Sequence, residues 1–133
     1  MENCLFCKIT RGEIPSSKVF ENDEFIAFLD INPINPGHTL VVPKNHADYL
    51  FDMDDGEYSR IFKTAKFLAP KIQSAMGSKK IGVIVEGFLV PHVHVHLIPL
   101  HHGGELSMAR ARSATAEELN EVAEKIKKEI EGE

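Results

Sequence analysis

A chain of 133 residues that is 43% hydrophobic has enough apolar material for one ordinary buried core, so a single domain over 1–133 is expected. A net charge of −5 and a pI near 5.8 exclude a general polyanion binder, which needs a basic patch to neutralise phosphates, and leave room for a small anionic ligand. Residues 1–15 lack the apolar stretch of a signal peptide and no apolar run approaches bilayer length, which points to a cytoplasmic protein with reduced thiols.

Cys4 and Cys7, the only cysteines, have the two-residue gap typical of half a zinc site. The same pair also suits redox chemistry, or two small reduced hydrophobes on a helix. SSKVFEN (16–22) and EFIAFLDI (24–31) are rich in β-branched and aromatic residues, and Asn22-Asp23 between them suits a turn, so an antiparallel hairpin is expected. NPINPG (32–37) ends the second strand and HTLVVP (38–43) forms a third. Residues 54–77 carry Tyr58, Ile61, Phe62, Ala65, Leu68, Ile72 and Met76 at helical spacing. Pro70 falls inside this main helix and should bend or interrupt it, since proline lacks the backbone donor and clashes one turn back. KIGVIVEG (80–87) reads as a fourth strand. A polar, irregular tail follows at 101–113, then a C-terminal helix opened by a capping box, Thr115 with Glu118, that buries Leu119, Val122, Ile126 and Ile130. With the fifth strand described next, the pattern is α+β: a five-stranded antiparallel sheet with a main helix and a C-terminal helix.

The fifth strand is PHVHVHLIP (91–99), with His92, His94 and His96 at alternate positions among β-formers. On a regular strand the three rings would share one face, spaced by roughly 6.5–7 Å, a row as long as a phosphoryl group with its substituents. Mostly neutral imidazoles at pH 7 can attack phosphorus or donate hydrogen bonds to phosphate oxygens. The row taken alone equally suits a two- or three-histidine metal site or an inert strand surface.

His-Val-His-Val-His-Leu-Ile resembles the histidine triad (HIT) signature, His-φ-His-φ-His-φ-φ with φ apolar, of nucleotide hydrolases and transferases. The resemblance runs almost continuously through residues 4–46 and covers 4–100 overall, with FLDI (28–31) and PGHTLVVPKNH (36–46) in register with the triad. It implies that His94 attacks the α-phosphorus of a nucleotide substrate to give a covalent nucleotidyl-histidine, that His96 donates to a non-bridging oxygen, and that His38 packs behind as a supporting group. It further implies that Asp30 accepts from the ribose hydroxyls and that Phe6, Ile9, Phe28, Ile31 and Leu40 sandwich the base, a purine by preference. In one branch of the family such cysteines join the histidine of Pro-Lys-x-His and the first triad histidine, which here implies a structural Zn2+ held by Cys4, Cys7, His46 and His92. The resemblance also implies a homodimer with a sheet continued across its two-fold axis.

One stretch departs from the family pattern. Before the triad many members have a longer glycine-rich loop with asparagine, glutamine and serine; this chain has VEGFLVPH (85–92). Glu86, or the tail residues His101, His102, Arg110 and Arg112, are candidates to compensate. The expected function is a nucleotide hydrolase or transferase acting on a nucleoside phosphoramidate or related 5′-phosphate derivative, with two rivals: a nucleotide-binding scaffold of little turnover, and a metal protein that uses the histidine row.

Overall fold

The computed structural model describes residues 4–132, so the extreme ends of the expected domain lie outside the described residues. The chain opens with a short helix α1 (Leu5–Thr10), followed by strands β1 (Lys18–Glu21), β2 (Phe25–Leu29) and β3 (Thr39–Pro43). Next come the long helix α2 (Asp55–Met76), strands β4 (Lys80–Ile84) and β5 (Val95–Leu100), and helix α3 (Ala116–Ile130). The strands form one antiparallel sheet in the order β1-β2-β3-β5-β4, the α+β architecture the alternating patterns imply. Among the described residues no helix is long and apolar enough to cross a membrane.

Strand alternation sends residues to two different cores. Phe25, Ala27, Leu29, Val41, Val95 and Leu97 pack with Ile61, Ala65, Leu68 and Ile72 of α2 and with Ala123 and Ile126 of α3. Ile26, Phe28, Leu40 and Val42 face the other way and pack with Cys4, Phe6 and Cys7 of the N-terminal segment. With helices on both sides, β2 and β3 are buried along their whole length. Each wholly buried Ile or Leu of α2 contributes about 1.5–3 kcal/mol.

α2 is not interrupted at Pro70. The proline is on the solvent side, where the carbonyl one turn back is free to bond water in place of the missing donor. Tyr58 is exposed and belongs to an aromatic cluster with Phe51 and Phe62, so it lies off the buried stripe. Asp54 caps α2 at its start, and the Thr115–Glu118 capping box is formed in full, with bonds of 2.8 and 3.1 Å. The expected irregular tail contains a single 3-10 turn, Met108–Arg110.

The largest difference from the expected fold is at β5, which begins only at Val95. Pro91 has no donor for a ladder, the His92 amide turns back to the Val90 carbonyl at 2.8 Å, and the Val93 amide bonds Ala47 at 2.7 Å. His92 and His94 therefore sit on irregular backbone leading into the sheet, and only His96 is in the strand. β4 likewise stops at Ile84, short of the expected 87.

Candidate active site and metal-ligating cluster

His38, Leu40 and Val42 share a parity on or beside β3 and face the same side as His94 and His96. The register pairs Leu40 with His96 directly, and Ile84 flanks His96 on its other edge. The turn that delivers His38 needs glycine: Gly37 has φ +95°, and a Cβ there would lie 2.5 Å from the Met76 side chain.

Three buried histidines are oriented by hydrogen bonds, His38 and His96 in one directional chain and His94 by a separate bond. The Ile34 amide donates to His38 Nδ1 at 3.0 Å, so the neutral ring carries its hydrogen on Nε2. That nitrogen donates to His96 Nδ1 at 2.8 Å, which leaves the His96 hydrogen on Nε2. His94 Nδ1 lies 2.7 Å from the His92 carbonyl oxygen, and since a carbonyl only accepts, Nδ1 carries the hydrogen and Nε2 keeps its lone pair. Among the described residues neither His94 Nε2 nor His96 Nε2 has a hydrogen-bond partner. The His94 and His96 rings are 4.8 Å apart, closer than evenly spaced strand residues, because their backbones are not both in the ladder.

Burial lowers all three of these pKa values. His38 and His96 are pushed down to about 4 by desolvation and, to a lesser degree, by neighbouring imidazoles. His94 is lowered by desolvation, opposed by its bond to the His92 carbonyl and by the Asp30 and Glu86 carboxylates. Asp30 is raised by burial, with its bond from the Asn32 amide acting against that, and one of its oxygens stands 3.6 Å from His38 Nε2.

His94 and His96 open onto a cleft of about 330 Å3 that is also lined by Phe6, Ile9, Phe28, Asp30, Ile31 and Leu40. All six residues expected to hold a nucleoside are thus gathered beside the two rings, while His38 is fully buried behind them. Phe6 stands edge-on to Phe28 at 5.5 Å and to His94 at 4.9 Å. Sequence reasoning missed part of the opposite wall. Phe88 and Leu89 are 85% and 90% exposed, yet line this cleft, with Gly87 at φ +84° turning the chain beside them. A three-residue apolar run, Phe88-Leu89-Val90, between a glycine and the triad was the available signal. Of the candidates to compensate for the short loop, Glu86 lines the cleft. Arg110 and Arg112 instead line a second cavity of about 220 Å3 on the far side of His38, where Arg110 donates to Asn35 at 3.1 Å. His101 and His102 give their backbone amides to Glu105 and line neither cavity.

A separate cluster joins α1 to the approach to β5. Cys4 Sγ is 3.2 Å and Cys7 Sγ 3.4 Å from His92 Nδ1, and Cys7 Sγ is 3.1 Å from His46 Nδ1; all four ligand atoms lie within 4.8 Å of one another. The donor set fits a closed tetrahedral metal site, and its outer partners fit too. His92 donates from Nε2 to the Pro43 carbonyl at 2.8 Å and His46 bonds Asp48, which turns both Nδ1 lone pairs inward. Asp30, His38 and His96 also come within metal-binding reach of one another. The Ile34 amide disfavours an ion there, because it occupies His38 Nδ1 and keeps the hydrogen on Nε2.

The HIT domain family model matches residues 11–103. The chain belongs to the HIT family. It is 39% identical over 130 residues to an uncharacterised HIT-like protein of Methanocaldococcus jannaschii, covering 93% of this chain and 98% of the relative. It is 37% identical over 102 residues to an adenosine 5′-monophosphoramidase of Schizosaccharomyces pombe, covering 73% of this chain and 74% of the relative. A solved HIT-like protein from Bartonella henselae superposes with a TM-score of 0.85 at 34% identity, over 97% of this chain and 98% of that one.

Proposed function

We propose that this HIT protein hydrolyses nucleoside 5′-phosphoramidates, or transfers their nucleotidyl group, through a covalent intermediate on His94. The observation that carries the reading is the His94 tautomer, with Nδ1–H tied to the His92 carbonyl and the Nε2 lone pair open to the cleft. Burial keeps this ring neutral at pH 7, the form that attacks. In the first step Nε2 bonds to the α-phosphorus, the phosphorus–nitrogen bond to the leaving amine breaks, and the amine departs with a proton taken from solvent. In the second, water attacks phosphorus and releases a proton to solvent, the bond to His94 breaks, and a nucleoside monophosphate leaves. His96 gives its Nε2–H to a non-bridging oxygen as charge grows there, and His38 is the positioning residue that fixes that tautomer.

Asp30 takes the ribose diol, and Phe6, Ile9, Phe28, Ile31 and Leu40 enclose a purine. The 37% identity to an adenosine 5′-monophosphoramidase supports the substrate class. Zinc at Cys4, Cys7, His46 and His92 would supply a cross-link between α1 and the triad segment; four protein ligands leave it no open position. Two reduced cysteines in that role suit the cytoplasm. The open β4 edge, with Val83 49% exposed, supports a homodimer built by continuing the sheet, which light scattering tests directly.

The deciding experiment incubates the protein with adenosine 5′-phosphoramidate and follows AMP release. Turnover that disappears in His94→Ala supports the proposal. Tight AMP binding with no turnover in the wild type overturns it in favour of a binding scaffold, the reading that the short apolar loop at 87–90 would then carry.

A further inference from the structure

The metal-ligating cluster and the nucleotide cleft meet in one residue. The His92 side chain faces Cys4 and Cys7, while its carbonyl oxygen is the acceptor that orients His94. No sheet ladder holds that carbonyl in place, because residues 91–94 precede β5. The backbone bonds at this point are those of His92 to Val90 and of Val93 to Ala47, and both acceptors lie in loops. What fixes the residue beyond them is its imidazole, bonded to Pro43 through Nε2 and gathered with two sulfurs through Nδ1. A second link runs through α1, where Cys4 and Cys7 flank Phe6 and the Phe6 ring stands against both His94 and Phe28.

We propose that metal binding at Cys4, Cys7, His46 and His92 sets the tautomer of His94, with His92 as the positioning residue that transmits it. The two clusters are then a single device. The His92 carbonyl stands 2.7 Å from His94 Nδ1, and an ion held by the four ligands would clamp it there and hold the hydrogen on that nitrogen. Without it, four donors, three of them buried, lose their common centre, the 91–94 backbone is held only by its bonds to Val90, Ala47 and Pro43, and the carbonyl selects the tautomer less firmly. A free neutral imidazole prefers its hydrogen on Nε2, the nitrogen that must be bare to attack phosphorus. Metal loss therefore turns off the ring as well as loosening the fold. The consequence for turnover rests on the proposed function; the effect on the tautomer does not.

The test labels histidine with 15N and reads ring tautomers by NMR in protein stripped with a chelator, reloaded with zinc, and carrying His92→Ala or His92→Cys. Both substitutions keep the backbone carbonyl and differ in whether a metal ligand remains. Far-UV circular dichroism establishes that each sample is folded. The expected result is Nδ1–H at His94 in the reloaded protein, a shift toward Nε2–H in the stripped protein and in His92→Ala, and recovery in zinc-loaded His92→Cys. In the same series kcat for adenosine 5′-phosphoramidate falls at least tenfold with the tautomer, beyond any change in KM. Should stripped protein and His92→Ala unfold, cadmium in place of zinc keeps the site filled with longer bonds, and hydrogen exchange at His94 Nδ1 should quicken. Retention of Nδ1–H with unaltered exchange in stripped, substituted or cadmium-loaded protein overturns the proposal. Absence of turnover in every form, with the tautomer still following the metal, would remove the hydrolase reading and leave this one standing.

Discussion

The two ends of the histidine row use one side chain in opposite ways. At the His92 end the ring is wholly enclosed, one nitrogen on the Pro43 carbonyl and the other against two sulfurs. At the His94–His96 end each ring has one nitrogen engaged and the other open toward a 330 Å3 cleft. Residue type does not distinguish the ends; the partner of the second nitrogen does, and it decides whether a histidine ties a structure together or is left free to react.

This division can be broken from either side. His94→Ala removes the open imidazole and should lower AMP release by at least ~10^3-fold while metal content, measured by elemental analysis, stays at the wild-type level. A parallel loss of metal would erase the distinction between the ends. Cys7→Ser attacks the closed end: metal content should drop, with a stability loss on the order of 3 kcal/mol, or roughly 10 °C in the thermal midpoint. An unchanged midpoint in protein shown to have lost its metal would contradict a cross-linking role.

Acid sharpens the comparison. His38 and His96 have folded pKa values of about 4 against an ordinary 6.5, so between those limits the unfolded chain binds protons that the folded chain refuses. Stability is thus full above pH 6.5 and is lost as pH falls toward 4, by up to about 3 kcal/mol for each ring. Urea midpoints across that range should fall on acidification; a flat profile would mean that these rings are not buried neutral.

Smaller effects place the nucleoside. Asp30→Asn should weaken AMP binding about tenfold, and the difference between AMP and 2′,3′-dideoxy-AMP should shrink in the variant, because the diol has lost its charged acceptor. An undiminished difference by calorimetry would put the ribose elsewhere. Least of all, Thr115→Ala on the opposite face of the sheet removes a helix cap worth about 1 kcal/mol and should leave AMP affinity alone. Altered affinity there would show that the two faces are coupled.

Features encoded in side-chain pattern were legible in the sequence. The β1–β2 hairpin, the α2 stripe and the α3 capping box follow from periodicity and cap chemistry, and Phe28, Asp30 and Leu40 reach one cleft because they share a strand parity. What stayed hidden depends on backbone donors and acceptors. Nothing in PHVHVHLIP reveals that the His92 and Val93 amides bond outside the sheet and delay β5 to Val95. The His38 tautomer is likewise set by the amide of Ile34, a residue whose side chain has no part in it. Arg110 looked free to reach the substrate, yet the turn after β5 and its bond to Asn35 place it behind His38, in the second cavity.

The most direct measurement is a rapid acid-free quench of the protein with adenosine 5′-phosphoramidate, followed by mass spectrometry of the peptide containing residues 91–99. An adenylyl group on His94 that forms and decays at rates matching AMP release is the predicted result. AMP released at the usual rate with that imidazole never modified, or with the label on another side chain, would contradict it.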